Sequence, residues 1–121
     1  MKFTLPFPDG KLNPNRIVYF RVRAVIKSTY KATCYRIIKS ACLGRRLETT
    51  GRIPVTIIFH APDKRGRDLD NLLASMKSGL DGVAIALGVN DRQFRPVTID
   101  FADSVFKGGK VEIEFFEVKN G

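Results

Sequence analysis

The nine residues Asp63 to Asn71, DKRGRDLDN, hold three carboxylates and three cations and run directly into a helix-like apolar pattern. Asp68 and Asp70 alternate, so their side chains point the same way in an extended chain but about 200° apart on a helix. Their convergence requires the chain to stay extended through Asp70, with the helix starting just beyond it. Asp70 then lies at or near the helix N-terminus, where the macrodipole favours a carboxylate. Two chemistries fit that geometry. One is a charged turn that caps the helix. The other is a pair of hard oxygen donors for magnesium, beside a phosphate drawn in by Lys64, Arg65 and Arg67. At a phosphodiester, a bound metal orients the attacking water and stabilises the leaving oxygen, so cutting DNA requires such a mixture of acids and cations. Capping alone accounts for one aspartate, not two.

Asp91 is the third candidate carboxylate, in the loop VNDRQF. A helix of about 16 residues between it and Asp70 spans about 24 Å. To meet Asp70, the helix must be shorter or bent, the chain must double back, or a partner subunit must supply the residue; periodicity does not choose. Lys77, at about 100° per residue, falls near Asp70 and Asp81 on one flank of the apolar stripe. There it either snorkels along the core edge or stabilises developing phosphate charge. Asp63 and Asp81 read as balancing nearby cations.

The elements that must position these residues follow from periodicity. KFTLPFP reads as a short edge strand ended by prolines, followed by the loop DGKLNPN and an extended stretch from Asn15 to Phe20. From about Arg21 to Leu43, Tyr30, Cys34, Ile37, Ile38 and Ala41 recur at helical spacing, with Gly44 as the C-terminal cap. The opposite side carries Arg23, Lys27, Lys31 and Lys39, either a solvated face or a phosphate-facing one. RIPVTIIFHA, Arg52 to Ala61, has the β-branched content of a central strand. Leu72, Leu73, Met76, Leu80, Val83, Ala84 and Leu87 form a second helical stripe closed by Gly88. VTIDFADSVF and VEIEFFEV alternate as strands, and Gly108 and Gly109 in KGGK suit a two-residue hairpin turn between them. The order strand, helix, strand, helix, strand, strand predicts one α/β or α+β domain over residues 1–121, a mixed sheet with two main helices packed on it.

The chain has a formal net charge of +9 and a pI near 9.9, a surface that attracts polyanions and makes nucleic acid the leading partner. The opening MKFTLPFPDG lacks an apolar signal-peptide core, and no apolar run approaches the ~20 residues of a membrane span. A soluble, intracellular protein is the expectation. Cys34 and Cys42, eight apart on one helix, stand roughly 12 Å apart, too far for a disulfide. With His60 the only histidine, no zinc constellation is present. Phe20 and Phe94 are weighed as wedges into nucleic acid against burial in the core, which is the commoner fate.

PDKRGRDLDNL, a following helix, then GVNDRQF and KGGKVEIEF together resemble the RusA-type crossover junction endodeoxyribonucleases, and the opening FTLPFP…LNPN is similar as well. The resemblance covers nearly the whole chain and is most specific at RDLDNL and the later ND-Q loop. It implies a small homodimeric, magnesium-dependent nuclease of bacteria and their phages that acts in the cytoplasm, without a small-molecule cofactor, and resolves four-way Holliday junctions by paired nicks. Asp68, Asp70 and Asp91 match the family's catalytic, metal-binding aspartates. The family commonly has a catalytic lysine four residues beyond the second aspartate, where this chain has Ala74; Lys77, one turn further on, is its candidate replacement. The family's mid-helix acid is replaced by Ser78. Lys64, Arg65, Arg67, Arg92, Lys107 and Lys110 become candidate phosphate contacts. The rivals are a catalytically weak junction- or duplex-binding protein of the same fold, and a basic protein-interaction domain with an ion-paired turn.

Overall fold

The computed structural model describes residues 1–116 of the 121. The elements come in the expected order: β1 (Lys2–Leu5), α1 (Phe20–Ala41), β2 (Ile53–His60), α2 (Leu69–Ser75), α3 (Lys77–Leu87), β3 (Phe94–Phe101) and β4 (Lys110–Phe115). They form a four-stranded mixed sheet ordered β1-β4-β2-β3 with the helices packed on one face, the expected α+β arrangement. Strict alternation in β2 sends Ile53, Val55, Ile57 and Phe59 into the core, where Val111, Ile113 and Phe115 of β4 join them. The helices answer with Tyr30, Cys34 and Ile38 from α1 and Val83, Ala86 and Leu87 from α3. None of the described helices is long and apolar enough to cross a membrane.

The expected hairpin between the last two strands does not form. β2 lies between β3 and β4, parallel to the first and antiparallel to the second. Two causes combine. The α2–α3 crossover returns the chain to the start of β2, so β3 must leave parallel to it, and β2 is apolar enough to require a neighbour on each side. β3 also starts earlier and ends sooner than expected, because Phe94 is drawn into the core against Phe115, with ring centroids 5.2 Å apart. Gly108 and Gly109 do hold left-handed φ values of +84° and +72°, and the Gly109 amide donates to the Phe106 carbonyl at 2.7 Å. That turn ends a longer connection crossing from one side of β2 to the other. Of the expected strand VEIEFFEV, Glu117 and Val118 lie outside the described residues.

The second helix is two. It starts at Leu69 and breaks at Met76, a fully buried residue whose amide is shared between the Leu72 and Leu73 carbonyls. α3 lies close on α1: a Cβ at Gly82 would collide with the Lys31 carbonyl oxygen. At the end of α1 the expected Gly44 is left-handed, φ 74°, and Leu43 before it is left-handed too, φ 52°. Gly44 N–H reaches back to Lys39 O and Leu43 N–H to Ser40 O, a Schellman pair displaced by one residue from the glycine.

The opposite face of the sheet has no helix on it and is polar. There Glu112 takes Lys2 Nζ at 2.9 Å and stands 2.8 Å from His60 Nε2, a hydrogen bond when the ring proton is on that nitrogen. The Lys2 hydrogen bond above all holds the Glu112 carboxyl below its ordinary value.

Candidate active site

The loop that leaves β2 is organised by a residue that looked like a mere counter-charge. Asp63 Oδ1 accepts from the Arg65 amide at 3.0 Å and from Arg67 Nη1 at 2.9 Å, while Oδ2 faces Arg65 Nη2 at 3.1 Å. Arg67 Nη1 donates further to the Asp63 and Arg65 carbonyls, and its guanidinium lies 5.6 Å over the Phe7 ring. Arg65 and then Arg67 hold the Asp63 carboxyl far below the usual carboxylate range. The clamp fixes Arg67, 17% exposed, and leaves the Arg65 side chain 80% exposed. Sequence reasoning missed this role, since an acid bonding two and four residues ahead within a loop leaves no periodic trace.

Arg67 looks into a cleft of about 570 Å³, lined also by Asn13, Arg16, Asp68, Asn71 and Gly108. Asp68 enters it from the N-cap of α2, in extended conformation (φ −99°, ψ 133°). Its carbonyl takes the Leu72 amide at 3.0 Å, and its carboxylate makes no cap bond, facing instead Asn71 Nδ2 at 3.4 Å. Asn15 Nδ2 bonds Asn71 Oδ1 at 3.3 Å, which ties the loop before α1 to the start of α2.

The helix therefore begins two residues before the expected point. Asp70 stands within its first turn, where the macrodipole favours it, and is not among the cleft-lining residues. The inward packing of Leu69 and Leu72 fixes that start.

Asp91 is elsewhere. It opens a short 3-10 turn, Asp91–Gln93, directly before Phe94, which pairs with Ile53 at the start of β2; Asp68 follows the end of β2. The eight residues of β2 put about 23 Å of strand between the two ends. Asn90 and Gln93 form a reciprocal capping box around Asp91, and Gln93 Nε2 donates to the Thr49 and Gly51 carbonyls, each at 2.9 Å. Arg92 shares that end with Arg52 and Arg95.

The remaining candidates separate. Lys77 lines a second cavity of about 210 Å³, together with Ala74, Arg23, Lys27, Ser78 and Asp81; only Ser75 lines both cavities. Lys77 thus lines the cavity adjoining the cleft rather than the cleft that holds Asp68. Lys107 is exposed next to cleft-lining Gly108. Lys110 lies on the polar sheet face, 3.6 Å from Glu112 and 4.3 Å above the Phe106 ring centroid. Lys64 is exposed. Cys34 is buried and free, its thiol pushed up to about 11 by that burial, which makes it an inert core residue.

Could these residues hold magnesium? In a chain whose Asp63 and Glu112 are tightly paired, Asp70 and Asp91 have neither hydrogen bond nor ion pair through their carboxylates among the described residues, and Asp68 has only the long Asn71 contact. Asp81 and Asp103 are equally unpaired among the described residues, so what distinguishes Asp68 is its place beside Arg67 in the cleft. No group of three His, Cys, Asp or Glu gathers among the described residues. One chain thus offers Asp68 and Asp70 near each other in sequence and needs further oxygens, in keeping with an ion that commonly takes one or two carboxylates, waters and substrate phosphate.

Two proteins are similar to this chain. A protein of Xylella fastidiosa (strain Temecula1), itself uncharacterized, is 36% identical over 94 residues, which make up 75% of this chain and 60% of that protein. The crossover junction endodeoxyribonuclease RusA of Shigella sonnei (strain Ss046) is 33% identical over 124 aligned positions, covering 97% of this chain and 94% of that enzyme. No family model matches the chain.

Proposed function

The chain belongs to the RusA-like family, and from that premise we propose that it is a magnesium-dependent endodeoxyribonuclease that resolves four-way DNA junctions by paired nicks in the bacterial cytoplasm. The observation that supports this most is the cleft itself: a guanidinium fixed by Asp63 stands beside an Asp68 carboxylate left free to bind. A structural cap would have closed on its own helix.

Arg67 and Arg16 grip the scissile phosphate from the cleft wall, and Lys107 meets the same strand from the rim. Asn71, held by Asn15, keeps Asp68 turned toward the phosphate. Asp68 in the cleft would be the first oxygen donor, and Asp70, in the first turn of α2 and outside the cleft lining, and Asp91 from a second copy would add theirs on closing over the substrate. The ion, when bound, activates water and stabilises charge on the leaving oxygen. Lys77 shares a cavity with Ala74, the position of the family's lysine, and from there balances the charge of the phosphate. Arg65 and Lys64 bind flanking phosphates, and Arg92 does so near Asp91.

The dimer follows from two considerations. A two-fold symmetric junction is cut at two related positions, which a closed two-fold dimer matches. In addition, Asp68 follows one end of β2 and Asp91 precedes the partner of its other end, which supports a second chain as the source of Asp91. The test is a synthetic four-way junction and a matched linear duplex, with and without magnesium, beside Asp68→Asn and Lys77→Ala. Symmetric nicks in the junction alone, dependent on magnesium and lost in Asp68→Asn, are expected. Tight binding without nicks would favour a binding protein disabled at Ala74, and full activity in Lys77→Ala would remove that lysine from the mechanism.

A further inference from the structure

The entry to α1 exposes an unusual amount of apolar surface. Ile17 is 101% exposed, Tyr19 59% and Phe20 68%, where Phe94, the other aromatic weighed as a wedge, is buried at 7%. The Tyr19 and Phe20 rings stand 5.0 Å apart at 59°, and the Arg21 guanidinium lies 5.7 Å from the Phe20 centroid. The segment is held rather than loose. Arg23 bonds back to the Asn13 and Arg16 carbonyls, fixing the turn from which Tyr19 and Phe20 project. Arg16 lines the cleft that contains Asp68, and Tyr19 follows it by three residues, within about 10 Å along even a fully extended chain.

We propose that Tyr19 and Phe20 form a stacking platform for an unstacked DNA base next to the phosphate held in the cleft. This rests on the reading of the protein as one that acts on DNA, and extends it from the backbone to the bases. An exposed aromatic pair within a cationic groove is how sequence-tolerant binding to unpaired strands is built. A branched junction supplies such bases where its arms meet, and a linear duplex does not.

Charge favours DNA over a second copy of the chain as the occupant. Between Asp9 and Glu48 the sequence has no carboxylate and ten lysines and arginines. A two-fold interface sets a patch against itself, which here would bring Arg16, Arg21 and Lys27 up to their own copies, with no carboxylate in that segment to offset them. The polyanionic backbone neutralises the same groups.

Binding measured in EDTA keeps this test apart from cutting. The probes are a four-way junction carrying 2-aminopurine at its centre and a linear duplex of the same sequence. Tyr19→Ala and Phe20→Ala should each weaken junction binding by about 5- to 150-fold, abolish the 2-aminopurine response, and leave duplex affinity nearly unchanged. Phe20→Trp should retain affinity, and its tryptophan, the only one in the chain, should be quenched by the junction; Phe20→Leu should not rescue. Equal junction affinity in wild type and both alanine variants would overturn the proposal. So would a loss of self-association in those variants with DNA affinity unchanged, which assigns the patch to a second copy. If wild type binds the junction and never nicks it, the nuclease reading fails while the loss in the alanine variants still supports the platform. If wild type binds no DNA, both fall.

Discussion

Mixing two variants expected to be inactive tests whether the carboxylates proposed for catalysis come from two chains. Asp91 precedes Phe94, which pairs with the start of β2, and Asp70 lies in α2 beyond the loop that leaves the other end of that strand of about 23 Å, whereas magnesium holds its ligands at about 2.1 Å. Homodimers of Asp70→Asn have two sites lacking one carboxylate, and so do homodimers of Asp91→Asn. In the mixed dimer, one site combines both altered residues and the other combines both native ones. Equal mixing with free exchange makes about half of the dimers mixed, each with one working site, so about a quarter of wild-type nicking should return from two inactive parents. The product should also differ: a junction nicked on one strand, without the second cut that resolves it. The assay is strand-specific end labelling of a synthetic junction after co-refolding the two variants, with sedimentation to verify exchange. If exchange is complete and no nicks appear at any mixing ratio, Asp91 does not complete the site of a second chain, and the inference from strand length fails.

Other perturbations follow from individual contacts. Gly82→Ala forces a methyl group into the Lys31 carbonyl and should cost about 1–3 kcal/mol by overpacking, read as a lower thermal midpoint; an unchanged midpoint would mean that α1 and α3 lie further apart than described. Gln93→Ala removes three hydrogen bonds around Asp91, so the Asn90 amide should exchange with solvent faster and cutting should fall while the global midpoint moves little; unaltered exchange at Asn90 would refute this. The Asp63 carboxyl is held below its ordinary value by Arg65 and Arg67, so its contribution to stability is complete above the unfolded value near 3.9 and is lost only as pH falls through the lower folded value. A carbon-detected NMR titration should therefore find Asp63 still ionised where free aspartates have protonated, and a midpoint near 4 would break the clamp. Junction binding should weaken steeply between low and high salt as counterions are released; constant affinity would remove phosphate contact as its basis.

Local signals served where local forces decide. The alternation in β2 identified a central strand because one face of it is fully buried, and Gly88 closed α3 at a left-handed φ of 73° as its position indicated. Gly108 and Gly109 marked a real turn, but glycine chemistry specifies a change of direction and not a pairing partner. The partner of β4 was decided by β2, some fifty residues away. Asp68 and Asp70 were legible as a pair at a helix start; the first helical residue depended on how Leu69 and Leu72 reach the core. The Asp63 clamp was invisible for another reason, since the Arg65 amide and the Arg65 and Arg67 guanidiniums that donate to it lie in an aperiodic loop. Phe20 and Phe94 look alike as letters, and only the packing of β3 separates the buried one from the exposed one.

The sheet order carries a consequence for synthesis on the ribosome. β1 has one neighbour, β4, and its four residues pair with Val111 to Glu114. At about 5–20 residues per second, that partner emerges on the order of ten seconds after β1 does. β2 waits too, for β3 and β4 both lie downstream of it. Until then the nascent chain has two unpaired strands, β1 and an apolar β2 with both edges open, a state that favours association with other chains. The basic stretch around α1, already synthesised, repels like copies during that interval and guards the sheet before it closes.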